Sequence, residues 1–99
     1  MSFQTLYRKT IQEAFEEFDR TNPQVYEMFI SYFHEALRKK KSKISFKLIM
    51  NRIRWEYYIN TKDFTNFKIN DAYGSRYARK FLSEFPQHSD KIQLRTLRA

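Results

Sequence analysis

At 99 residues, with 41% hydrophobic and 18% aromatic side chains, the chain has enough apolar material for one small core and too much for a disordered tail. A single glycine and two prolines leave too few tight turns for a strand-rich fold, and the absence of cysteine excludes disulfides and thiolate metal sites. Charge is divided along the chain: residues 1–37 carry three basic residues against six acidic ones, and residues 38–99 carry 16 against five, a surplus of +11 within a net charge of +8. Such asymmetry speaks about partners rather than fold, and suggests a scaffold half followed by a half that meets a polyanion.

The first helix is predicted over about Ser2 to Asp19. Phe3, Leu6, Tyr7, Thr10, Ile11, Ala14, Phe15 and Phe18 recur at three- and four-residue steps, with Glu13, Glu16 and Glu17 on the opposite face. Thr21-Asn22-Pro23 reads as a stop and a restart, Asn22 as N-cap and Pro23 at the first helical position. A second helix then runs from Pro23 to about Arg38, with Val25, Met28, Phe29, Tyr32, Phe33, Ala36 and Leu37 as its apolar stripe. The two are expected to form an acidic helical hairpin over residues 1–37, a candidate homodimer interface.

Arg38 to Lys43 carries five positive charges in six residues and is either the frayed end of the second helix or a loop. Ser42 or Ser45 caps a third helix from about Phe46 to Asn60. Phe46, Ile49, Met50, Ile53 and Tyr57 share one face, Leu48, Trp55 and Ile59 an adjoining one, and Lys47, Asn51, Arg54 and Tyr58 the solvent side. So wide an apolar arc predicts that this helix is central to the core. Trp55 is expected to anchor that core with Arg52 at its edge; the alternative is an exposed ring that stacks on a ligand. Thr61 to Ile69 is a polar connection in which Phe67–Ile69 alternates like a short strand. Asn70 or Asp71 then caps a fourth helix that ends at Phe85 before Pro86, and Gly74 is expected to delay its start to Ser75. Ile92 to Arg98 is either a terminal strand pairing with Phe67–Ile69 or a basic tail.

The fourth helix is the sharpest functional candidate. Ala78, Phe81, Leu82 and Phe85 form a buried stripe, while Arg76, Arg79, Lys80 and Ser83 repeat the same spacing on another face, with Asn70, Tyr73 and Ser75 at its start. Arginine reads guanine edges bidentately, asparagine pairs with adenine, and Ser, Tyr and Lys hold phosphates, so this face has the form of a DNA reader. With the third helix it resembles a helix-turn-helix, winged if the terminal strand pairs. Lys39, Lys40, Lys41, Arg54, Arg95 and Arg98 are the expected phosphate contacts outside it.

Enzyme chemistry finds little support. His34 and His88 lie far apart in the chain with no metal-ligand spacing, and there is no phosphate-cradling glycine loop and no nucleophile motif. No cofactor is expected. No apolar run approaches the ~20 residues of a membrane span, and residues 1–20 are too acidic for a signal peptide, so a cytoplasmic protein is the expectation.

From Ile49 onward the chain resembles a group of small uncharacterised bacterial and phage proteins. The likeness lies in Arg52-Ile53-Arg54-Trp55, Phe67-Lys68-Ile69-Asn70, Tyr73 with Arg76-Tyr77-Ala78-Arg79, Pro86, and Arg95-Thr96-Leu97-Arg98. It implies a prokaryotic or phage context.

The resulting expectation is a single all-α or mainly α domain of four helices, with an acidic hairpin (1–37) and a basic, helix-turn-helix-like half (38–99). Its expected function is binding of double-stranded DNA, as a phage or bacterial transcriptional regulator, through the helix at about 70–85. RNA fits the same basic groove. The alternative is a phage-type interaction protein that binds and modulates a host protein or nucleoprotein complex.

Overall fold

Thr10 opens the first described helix with a reciprocal cap. Its hydroxyl accepts from the Glu13 backbone N–H at 3.1 Å, and the Glu13 carboxylate accepts from the Thr10 N–H at 3.4 Å. The computed structural model describes residues 10–39, 43–60 and 69–93. Helix α1 therefore spans Ile11–Thr21, with Thr10 as its cap rather than a member of its apolar stripe. The part of the predicted helix before Thr10 lies outside the described residues.

Asn22 corrects a second expectation. Its side-chain amide donates back to the Phe18 carbonyl at 3.1 Å, so its side chain closes α1. Its own carbonyl accepts from the Val25 N–H at 3.1 Å as α2 (Pro23–Lys39) begins. Strand β1 (Ile44–Ser45) runs directly into α3 (Phe46–Asn60), where the Ser45 hydroxyl accepts from the Leu48 N–H at 3.4 Å. Helix α4 spans Tyr73–Glu84 and is stopped by Pro86, which opens a 3-10 turn (Pro86–His88). Strand β2 (Ile92–Gln93) follows.

The chain is a mainly α domain of four helices among the described residues. The two short strands pair in parallel, Ile44 opposite Ile92 and Ser45 opposite Gln93. Ile92 thus pairs with the entry to α3, while Phe67 and Lys68 of the expected partner strand lie outside the described residues. A parallel pair is not a hairpin, and both isoleucines are buried, so the pair ties the chain's end to the base of α3.

The buried side chains form one cluster fed by all four helices and both strands. Phe15 of α1 stands edge-on to Tyr73 (5.7 Å) and Tyr77 (4.8 Å) of α4. Phe33 of α2 meets Phe81 at 4.4 Å, and Phe29 lies between Tyr77 and Phe81 at about 6 Å from each. Tyr77, Ala78 and Phe81 are fully buried, and α4 touches α1, α2 and α3. The prediction of a central α3 is thus overturned, because α4 occupies that place. Gly74 makes the close α3–α4 approach feasible. A Cβ there would lie 3.2 Å from Met50 Cγ and 3.3 Å from two Phe46 ring carbons, and the helix starts before it, at Tyr73.

Helix α3 buries only Ile49, Met50 and Ile53, with Phe46 and Tyr57 partly covered. Leu48, Trp55 and Ile59 face solvent, so Trp55 is no core anchor. At about 100° per residue Trp55 falls about 180° from Phe46, opposite the core.

Candidate nucleic-acid interface

Helix α4 carries its basic residues toward α1. Lys80 Nζ is hydrogen-bonded to Asp19 and lies 4.1 Å from the centre of the Tyr26 ring. Arg76 is half-buried: one terminal nitrogen donates to the Ala72 carbonyl at 3.4 Å, and its Nε is buried without a partner among the described residues. Arg76, Arg79 and Lys80 look across a groove of about 370 Å³ at Gln12, Glu16 and Asp19 of α1. Arg79 is exposed at the rim of that groove. The acidic face of α1 and the basic face of α4 therefore answer each other within the molecule.

The start of α4 is similarly occupied. Asn70 Oδ1 accepts from the Ala72 N–H at 2.9 Å, and the Asn70 carbonyl accepts from the Tyr73 N–H at 3.0 Å, turning the chain into the helix. Tyr73, expected at a reading surface, is instead buried, and Ser75 is half-buried.

The outward face of α3 is different. Lys47, Asn51, Arg54 and Tyr58 follow one another at i, i+4, i+7 and i+11, and Leu48, Arg52, Trp55 and Ile59 do the same one row over. Leu48 is 67% exposed, Trp55 58%, Tyr58 56% and Ile59 53%. The Trp55 and Tyr58 rings lie 5.7 Å apart at an interplanar angle of 24°. Arg54 pairs with the fully exposed Asp71 at 2.8 Å and donates to the Ile69 carbonyl at 3.4 Å. A pair with so exposed a carboxylate is weak and exchangeable. Lys47 and Arg54 flank a cleft of about 330 Å³ between α3 and the start of α4, floored by Met50 and Gly74.

On its other flank α3 is tied to α2. Arg52 is hydrogen-bonded to Glu35 and sits 4.1 Å from the centre of the Tyr32 ring. Lys39 approaches the same carboxylate at 3.9 Å. The Arg52 hydrogen bond, with these neighbouring charges, holds the Glu35 carboxyl below the ordinary carboxylate range. Arg38 and Lys43 are exposed; Lys40, Lys41, Arg95 and Arg98 lie outside the described residues.

Two groupings are not legible in the sequence alone. Helical spacing puts Lys47, Asn51 and Tyr58 on the solvent side of α3, but not Trp55 outside with them. His34 and His88 are brought together by the stop at Pro86, with ring centres 5.6 Å apart beside Phe81 and Phe85. Burial, then the neighbouring His88 and Arg38, lowers the His34 pKa from its ordinary value. No group of three or more metal-ligating side chains occurs among the described residues, and no helix among them is long and apolar enough to cross a membrane.

No family model, curated protein or solved structure matches this chain.

Proposed function

We propose that the protein is a small nucleic-acid-binding domain whose contact surface is the outward face of α3 rather than the basic face of α4. The observation that carries this is the different fate of the two faces. On α4, Lys80 is paired with Asp19 and Arg76 is half-buried beside α1, whereas Lys47, Asn51 and Tyr58 are exposed along one row of α3, with the half-buried Arg54 among them held by the exposed Asp71 and the Ile69 carbonyl. A lysine, an arginine and an amide at helical spacing are the side chains that hold phosphates and read base edges. The exposed Arg38 and Lys43, on the chain leading into α3, extend the positive field.

Each phosphate neutralised by a cation steepens the fall of affinity with salt by about one log–log slope unit. The double variant Lys47→Ala, Arg54→Ala should therefore bind labelled DNA, duplex or single-stranded, about tenfold or more weakly near 50 mM salt. Its slope between about 50 and 200 mM should be shallower by about two. Fluorescence anisotropy reads both quantities. Equal affinity and equal slope in the double variant would remove α3 from the interface.

A second reading, a protein partner with an acidic surface, is favoured by the exposed Leu48 and Ile59 on the same helix. It predicts binding that survives nuclease treatment and shows little salt-dependent affinity for nucleic acid.

A further inference from the structure

We infer that the nucleic acid this surface takes is unpaired, with bases stacking on Trp55 and Tyr58, and not an intact duplex. The inference rests on the nucleic-acid reading of α3 and deepens it.

Three observations carry it. First, the two rings lie side by side and nearly parallel, and each is more than half exposed, so they offer aromatic faces to solvent. Second, Leu48 and Ile59 border them on the outer row of the helix, making its middle apolar. Third, the cations of this face are few and lie to its sides: Lys47 and Arg54 on one flank, and Arg52, already held by Glu35, on the other.

A duplex presents phosphates outward and keeps the faces of its bases stacked inside. It would need more cations than this face has, and would bring nothing to cover Leu48, Trp55 and Ile59 except by intercalation. A single strand presents base faces and phosphates together. Its bases cover the aromatic and aliphatic centre while its backbone runs along the Lys47–Arg54 row. Base–aromatic stacking is strong, tolerant of sequence, and suited to such a platform.

Trp55 is the only tryptophan of the chain, so its fluorescence reports directly on the platform. The experiment is titration of the full chain with an oligothymidylate of about 15 nucleotides and with a duplex of equal length, near 50 mM salt. Tryptophan emission is followed in parallel with the anisotropy of labelled nucleic acid. The expected result is tighter binding of the single strand, with quenching of Trp55. Trp55→Ala should weaken that binding about 5- to 100-fold, and Trp55→Phe should restore most of it. Since Trp55 is exposed, an unchanged thermal midpoint for Trp55→Ala separates loss of binding from loss of fold.

Duplex binding as tight as single-strand binding, unaffected by Trp55→Ala, would overturn the inference and leave the nucleic-acid reading standing. Binding of neither at the lowest salt would overturn both and turn the apolar row of α3 over to a protein partner.

Discussion

Tyr77 and Tyr26 show how one atom sets the sign of a substitution. Both phenols are pushed far above their ordinary range, burial being the largest cause in each case. Tyr77 is fully buried, yet its hydroxyl has no hydrogen-bond partner among the described residues, while its ring packs edge-on to Phe15 and parallel to Phe29. A buried polar group without a partner costs about 1–3 kcal/mol, and removing it leaves the ring contacts intact. Tyr77→Phe should therefore raise stability by about 1 kcal/mol, or several degrees in thermal midpoint for a domain of this size. Tyr26 is the control of opposite sign. Its hydroxyl donates to Glu84 Oε1 at 2.6 Å, so Tyr26→Phe should lower stability by about 1 kcal/mol. Thermal denaturation of both variants decides the matter; a loss in Tyr77→Phe would mean that the hydroxyl is satisfied after all.

At the scale of elements, periodicity told where the helices are better than it told which way they face. The bounds of α3 were legible because Ser45 caps the run and Asn60 ends it. The stop at Pro86 was legible because proline disfavours helix at the preceding residue. The start of α1 was not, because Phe3, Leu6 and Tyr7 continue the apolar spacing past Thr10, and the spacing alone cannot show that Thr10 and Glu13 cap each other. The pairing of Ile44 with Ile92 was hidden for the reason most sheet contacts are: it joins residues with two helices between them. The candidate site was half legible. Arg54 and its solvent row could be read from the spacing, but a tryptophan is more often buried than not, and that expectation turned Trp55 inward. Spacing alone puts the α4 cations on one face. Their engagement with α1 depends on a helix–helix contact that no local pattern encodes. This contact makes a prediction. The Lys80–Asp19 pair is partly buried and braced by the Tyr26 ring. A double-mutant cycle with Lys80→Ala and Asp19→Ala should give a coupling of about 1 kcal/mol in stability, discounted for solvent screening. Lys80→Ala should leave affinity for single-stranded DNA within about twofold, a change smaller than one phosphate contact produces. A large loss of affinity with unchanged stability would return the reading role to α4.

For the whole molecule, the uneven charge of the chain is partly spent inside it. Asp19 of the acidic first half pairs with Lys80 of α4, and Glu16 lines the same groove as Arg76 and Arg79. The chain's net positive charge has a cost in acid. With all 11 carboxylates neutral and both histidines charged, the chain would rise from +8 to +21. Two groups give the same direction locally. The folded pKa of His34 is below its ordinary 6.5, so the unfolded chain binds a proton more readily, and stability falls as pH drops from about 6.5 through the folded value. The folded pKa of Glu35 is below its ordinary 4.5, so its contribution is present above that value and is lost as pH falls through the depressed one. Both windows act with the general repulsion, never against it. The thermal midpoint should therefore fall in two stages on acidification, beginning just below neutrality and steepening below about pH 4.5. His34→Phe should flatten the first stage by removing the proton acceptor that faces His88 and Arg38. Raising salt from about 0.1 to 1 M shortens the screening length from about 10 to 3 Å. At low pH, where like-charge repulsion outweighs the few remaining ion pairs, added salt should recover part of the lost midpoint. A midpoint that stays flat from pH 7.5 to 5, or that salt lowers further at pH 4, would show that self-repulsion is not what limits this fold in acid.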